Sequence, residues 1–360
     1  MRIAFRVPLL VLGFVSLGFG LAAGLARLGF EIALPAPALP VVHGALMAGA
    51  FFGTVISLER AVALGKPWAY CAPLAAGSAG LAWILGASVA AGGALLFTGG
   101  AVLLAASLHI WRLQRALHNA ILAAGAACLA LGGAAVVAGE AAAATPAWLG
   151  FLVLTIAGER LELSRFMPPS PAAKRAFAAV CIVLLAAGVL AVFAPAAGWK
   201  LLAAALLALS AWLASKDIAR RTVRERGLTR YIAWALLAGY AWLALGALVA
   251  LAAPEFAPGR PAWDAALHAW FLGFVFSMVF GHAPIIAPAL LRVALPYHAV
   301  FYAPLALLHA SVALRVAGSL LALQWLRDAA AVGHAAAIAF FILTMAARAF
   351  TARQPQAGKV

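Results

Sequence analysis

Twelve stretches of about 20 apolar residues follow one another along the chain, each the length a helix needs to cross a hydrocarbon layer. They fall near residues 6–28, 38–62, 68–90, 93–113, 118–139, 146–166, 174–195, 199–216, 230–253, 264–290, 298–321 and 328–350. Inside a bilayer the backbone must satisfy its own polar groups, so such stretches fold as helices packed on helices. The connections are short and rich in Pro, Gly, Lys or Arg. The expectation is therefore one all-α polytopic domain over residues 1–360, with twelve transmembrane helices in contact with the lipid bilayer. At 67% hydrophobic, 10% charged and a mean hydropathy of +1.06, the composition excludes a soluble globular chain. The first stretch is too long for a signal-peptide core and is read as the first helix.

A formal charge of +15 would point to nucleic acid in a soluble protein. Here the cations cluster at helix ends, where headgroups and topology account for them, and no nucleic-acid partner is expected. With the N-terminus inside, only Arg27, Lys200, Arg260, Arg315 and Arg327 fall on the outer side. Every other Lys and Arg, Arg2 and Lys359 included, falls on the inner side, as the positive-inside rule requires. Both termini are thus expected in the cytoplasm. Cys71, Cys128 and Cys181 stand alone on apolar stretches, so neither disulfide nor zinc-cluster logic applies.

Ionisable groups within a span are costly and mark function by default. His43 on the second helix and His268 on the tenth lie in the outer third of the membrane, and His334 begins the twelfth at similar depth. His309 falls mid-span on the eleventh helix and His282 lies toward the inner side. His109, His118 and His298 sit near inner ends, as interfacial side chains do. His43 and His268 can reach opposite faces of one porphyrin, with Gly44 and Ala45 leaving room and Trp270, Phe271 and Phe274 packing against it. Arg315 and Arg327 stand on the side where propionates need cations. The plainer alternative is that both rings hydrogen-bond within the bundle. His282, His309 and His334 suit a second haem, a copper site or a proton path, against ordinary interhelical bonding. Pro284 and Pro288 behind His282 free helix carbonyls and single out "GHAPIIAP".

The chain also echoes itself. "TPAWLGFLVLTIAGER" (145–160) aligns without gaps with "HAWFLGFVFSMVFGHA" (268–283), and "ALMAGAFFGTVISLER" (45–60) joins them. Glu59, Glu159 and His282 then occupy equivalent positions on every fourth helix, which suggests four-helix repeats about a pseudo-threefold axis. In this register His43 stands two positions ahead of the place equivalent to His268. The Glu-Arg sets at 59–60 and 159–160 read as structural ion pairs, or as an inner-side metal or proton site with His282. "KDIARRTVRERGLTR" (216–230) is a charged turn without assigned chemistry.

Twelve helices with "HGALM" on the second and a histidine-bearing tenth resemble the catalytic subunits of haem–copper oxidases and nitric oxide reductases. A closer likeness is to the NnrS family, through Gly281-His282 and Leu314-Arg315-Val316. The resemblance implies haem b held by His43 and His268, with Arg315 and Arg327 at the propionates and with copper or a second haem beside it. It further implies a bacterial inner-membrane protein tied to nitric oxide, denitrification or electron transfer, with a redox partner or a respiratory reductase. Helix six lacks a copper histidine and helix seven a His-His pair, so the likeness does not carry oxygen reduction or proton pumping. The rival classes are a transporter of a metal ion or small metabolite and a haem or copper assembly factor. Transporters are commonly built from inverted repeats, whereas a four-helix echo is parallel.

Overall fold

The computed structural model describes residues 3–353, and their regular structure is helical throughout, without a strand among the described residues. Arg2 and Lys359 lie outside the described residues. The main helices are α1 (Ile3–Ala26), α2 (Ala45–Leu64), α3 (Cys71–Ile84), α4 (Val89–Leu113), α5 (Leu117–Val137) and α6 (Ala141–Leu163). They continue with α7 (Pro171–Phe193), α8 (Pro195–Lys216), α9 (Gly227–Ala252), α10 (Pro261–Leu291), α11 (Tyr302–Leu320) and α12 (Gln324–Arg353). Among the described residues, eleven helices are long and apolar enough to cross a membrane. The chain is an all-α, multi-pass membrane protein.

The helix left out of the eleven is α3, and the reason is local. The apolar stretch 68–90 reads as one span, but the helix stops at Ile84 after 14 residues, about 21 Å of rise. Gly86 takes φ +86°, the Trp83 indole N–H donates to the Val89 carbonyl at 3.1 Å, and Ser88 Oγ caps α4 by accepting from the Ala91 N–H at 3.2 Å. Val89 and Ala90 therefore open α4, and the hairpin is closed by contacts that an apolar run does not reveal.

The structure comprises two compact units, Met1–Ala205 and Leu206–Val360, with the boundary inside α8. Within them one packing device recurs three times. Gly13 and Gly20 of α1 lie against Thr54 and Met47 of α2; Gly125 and Gly132 of α5 lie against Thr155 and Trp148 of α6. In the second unit, Gly239 and Gly246 of α9 lie against Met278 and Trp270 of α10. Seven residues make two helical turns, so each glycine pair shares a face and lets the next helix approach closely. A Cβ on Gly20 would come within 2.6 Å of Met47 Sδ, and one on Gly246 within 2.5 Å of Trp270 Nε1. Seven residues beyond Met47, Trp148 and Trp270 stand Thr54, Thr155 and Ser277, each with a hydroxyl donating to a backbone carbonyl at 2.6–2.7 Å. The echo among helices two, six and ten thus has a counterpart in packing.

Helices α2 and α10 share a further feature. Ala45–Phe51 and Ala269–Phe276 are π-helical, a wider turn that inserts a residue and gathers at functional sites. Both stretches start just after a histidine and fall at equivalent places in the echo. The two-residue offset between His43 and His268 therefore persists, and the two rings are anchored differently.

Candidate functional site

A largely buried polar cluster of the second unit is built at the start of α10. Pro261 sits in its first turn and Arg260 precedes it in an extended conformation, so the chain enters the helix with φ already set. Asp264 lies in that first turn, where the helix dipole favours an anion. Its carboxylate receives a two-pronged hydrogen bond from Arg315 of α11, Nε to Oδ2 at 2.8 Å and Nη2 to Oδ1 at 2.7 Å, and the hydroxyl of Ser319 donates to it as well. The Arg315 side chain is only 7% exposed, so the pair is largely out of water. Such bidentate pairs fix geometry as well as charge. The α11–α12 turn supplies the frame: Ala322 takes φ +55°, the Leu323 N–H closes onto the Gly318 carbonyl at 2.8 Å, and Gly318 leaves room for Leu326 and Arg327.

One turn along α10, the His268 Nδ1 lies 2.7 Å from the Asp264 carbonyl oxygen and 3.4 Å from its Oδ1. A carbonyl only accepts, so Nδ1 carries a proton, and in the neutral ring the lone pair is on Nε2. The ring of His334, from α12, stands 5.9 Å away at 16° to the His268 plane. His334 is 6% exposed, and its Nδ1 lies 2.8 Å from Ser311 Oγ. Ser311 spends its own proton on the Leu308 carbonyl at 2.8 Å, so His334 Nδ1 is the donor in that contact. His334 Nε2 is then a buried acceptor, and it has no hydrogen-bond partner.

The first unit anchors its histidine from a neighbouring helix. His43 Nδ1 donates to the Gly20 carbonyl of α1 at 2.7 Å, and the ring edge occupies the space a Cβ on Gly24 would need, with Cε1 at 2.8 Å. His43 and His268 therefore share a tautomer but not an anchor.

The remaining candidates are distributed. His309 Nδ1 accepts from the Trp242 indole N–H at 2.9 Å, so its proton is on Nε2, which faces Ser277 Oγ at 3.5 Å; Gly273 gives Trp242 the room to reach it. His282 Nδ1 donates to the Met278 carbonyl at 2.7 Å. Pro284 frees the Phe280 carbonyl, as the sequence implies, and the Tyr231 hydroxyl takes it at 3.0 Å. That makes "GHAPIIAP" a seam between α9 and α10. Arg327 hydrogen-bonds Gln324 at 2.9 Å, and its carbonyl faces Arg315 Nη1 at 3.5 Å. Glu159 pairs with Arg60 at 3.4 Å, in a neighbourhood that includes Glu59, Arg160 and Glu162. Asp217, in the charged turn, accepts from the Tyr240 hydroxyl at 2.8 Å and the Ala219 N–H at 2.7 Å, which makes it an anchor for that turn.

Sequence reading passed over Asp264, Ser311 and Ser319. Asp264 had a usable signal, an acid at the edge of an apolar span four residues before a histidine; the two serines had none. The structure brings together His268, His334 and Arg315. Among the described residues, however, no three His, Cys, Asp or Glu side chains converge as a metal-binding group. Chemically, the cluster offers a neutralised carboxylate behind one imidazole and a second imidazole with an unused lone pair.

No curated protein matches the chain, and no solved structure matches it. Residues 6–350, nearly the whole chain, match the family described as Domain of unknown function (DUF8744), and the chain belongs to that family.

Proposed function

We propose that this chain is a membrane metal-cofactor protein of the NnrS-like kind, set in the bacterial inner membrane. Its work would be electron transfer or the response to nitric oxide and denitrification. The observation that supports this most directly is the shared tautomer of His43 and His268. Each gives its Nδ1 proton to a backbone carbonyl at 2.7 Å, the arrangement that orients metal-ligating imidazoles and keeps Nε2 as donor. The π-helical stretch beside each ring agrees with it.

Haem b is the group the likeness implies, with His43 and His268 as its imidazole ligands, and copper is the other metal. The two tautomers fit either. Bound haem would supply one-electron chemistry; the chain's part is to hold each ring and its proton in place. Arg315 is a poor propionate partner, because two of its nitrogens are already on Asp264. Twelve spans with both termini inside, arranged as three four-helix repeats, belong to the same reading, and the recurring glycine pairs support the repeat.

The test is the absorption spectrum of the purified, dithionite-reduced protein together with iron and copper analysis. Sharp reduced haem bands or bound copper are expected, and substituting His268 should remove them. A colourless protein that neither contains nor takes up metal overturns the reading and leaves a transporter of a small metabolite. Cofactor bound weakly and passed to an apo-reductase marks an assembly factor instead.

A further inference from the structure

We propose that His268 and His334 together hold a single copper(I) ion at the start of α10. This rests on the reading that His268 is a metal ligand, and it puts a bare ion in place of porphyrin iron at that nitrogen.

Three observations carry it. His334 Nε2 is buried, deprotonated by the logic of the Ser311–Leu308 chain, and without a hydrogen-bond partner. An unmet buried acceptor is costly, so a position that keeps one has a use for the lone pair. Second, the neighbouring His268 holds a proton on Nδ1, behind which stands the Asp264 carboxylate at 3.4 Å, so the neutral ring offers its lone pair at Nε2. A carboxylate behind a ligating imidazole raises its donor strength. Third, the ring centroids are 5.9 Å apart in nearly parallel planes. Two metal–nitrogen bonds of about 2 Å each, extended by the ring radius at both ends, place two imidazole centroids roughly 6 Å apart across one ion.

The same facts select the ion. A slot wide enough for a porphyrin would admit water to His334 Nε2, yet that atom is sealed from solvent. Structural zinc takes four ligands, and no three His, Cys, Asp or Glu side chains converge among the described residues. Asp264 is committed to Arg315 and Ser319, so the site presents two imidazole nitrogens and no spare anion. A monovalent ion has a far smaller desolvation cost there than a divalent one, and copper(I) is stable with two imidazoles. No electron transfer is needed for binding: the ion enters as copper(I) and displaces no proton from either Nε2.

The experiment is an anaerobic titration of the purified full chain with copper(I) against a coloured copper(I) chelator. One tight equivalent per chain is expected, weakened at least tenfold in His334→Ala and in His268→Ala. His334→Gln guards against misfolding, because its amide can still bond Ser311 while lacking the imidazole donor; it should keep the thermal stability of the parent and lose the copper. X-ray absorption at the copper edge should show two imidazole nitrogens. Copper(I) or haem bound equally well with and without His334, but lost in His268→Ala, overturns the two-histidine site while leaving His268 a metal ligand. Failure of the intact chain to bind any metal overturns both.

Discussion

The α1–α2 and α9–α10 pairs are two versions of one construction. Each sets two glycines seven residues apart under side chains of the next helix, and each carries a histidine just ahead of a π-helical stretch. They differ in what surrounds the histidine. His43 leans on the backbone of α1, through Gly20 and the gap at Gly24. His268 bonds to its own helix and has Asp264, Arg315, Ser319 and His334 around it. The frame repeats, and the second copy sets a bidentate ion pair and a second imidazole beside its histidine. A helix pair that needs only small residues to form leaves its polar positions open to diverge.

The strongest way to break the comparison is to strip the second copy of its ion pair. Arg315→Ala leaves the largely buried Asp264 carboxylate without its cation, a change that costs up to about 3–5 kcal/mol when a buried pair loses one partner. We expect a large loss of thermal stability in detergent, with much of it recovered in the double variant Arg315→Ala, Asp264→Ala. A double variant no more stable than the single one would show that Arg315 acts through something other than Asp264. Losing the single hydrogen bond from His43 to the Gly20 carbonyl should cost less, about 0.5–1.5 kcal/mol.

Next come the glycine seats. Gly246→Ala drives a Cβ to 2.5 Å from Trp270 Nε1, and that indole is held by its bond to the Leu243 carbonyl at 3.2 Å. The ring cannot give way, so we expect the 1–3 kcal/mol typical of overpacking, that is, about 2 kcal/mol. At Gly20 the obstacle is the flexible end of Met47, and the gain of about 1 kcal/mol in helix propensity over Gly offsets the shift. Gly20→Ala should be near neutral. Equal losses in the two variants would show that the pairs are packed alike and that side-chain stiffness is irrelevant.

A finer probe concerns the anchor of His43. A Cβ at Gly24 meets Cε1 of the ring at 2.8 Å, so Gly24→Ala should turn the imidazole away from the Gly20 carbonyl. The lost hydrogen bond, about 0.5–1.5 kcal/mol, nearly cancels against helix propensity. Stability is therefore a poor readout, and nitrogen-15 NMR of the histidine rings is the right one. The parent should show His43 protonated on Nδ1 and the variant a mixture, while His268, tied to its own helix, stays unchanged. A His43 signal that does not move would place its anchor elsewhere than Gly20.

These contrasts also explain what the sequence could disclose. The helices were legible because a bilayer permits few alternatives to a long apolar run, and their ends mostly lie within a few residues of the expected places. The helix expected over 68–90 misled because Gly86 and Ser88 make a turn whose apolar neighbours hide it. His43 and His268 could be picked out as ionisable groups in apolar spans, but their tautomers depend on carbonyls of folded neighbours. The freed carbonyl before Pro284 was foreseeable from covalent geometry, yet its partner, Tyr231, lies 49 residues away. Trp242 at His309 and Ser311 at His334 are likewise visible only once α9, α11 and α12 are packed.

The smallest expected effect tests whether the Glu-Arg echo of helices two and six is more than a shared end signal. Arg60 and Glu159 meet at 3.4 Å with side chains 16% and 30% exposed, and other charges surround them. A single hydrogen bond of that length between partly hydrated groups contributes little, because both side chains lose rotamer freedom to form it and water competes for each. Arg60→Ala should therefore cost less than about 1 kcal/mol, within the range of exposed pairs, and should leave copper(I) binding at His268 and His334 unaltered. The two copies of the frame would then differ in kind: charge at the end of α2 trims the surface, whereas charge at the start of α10 sets up a ligand. A loss in Arg60→Ala as large as that in Arg315→Ala would instead make the first unit's charges structural equals of the second's, and the asymmetry between the copies would vanish.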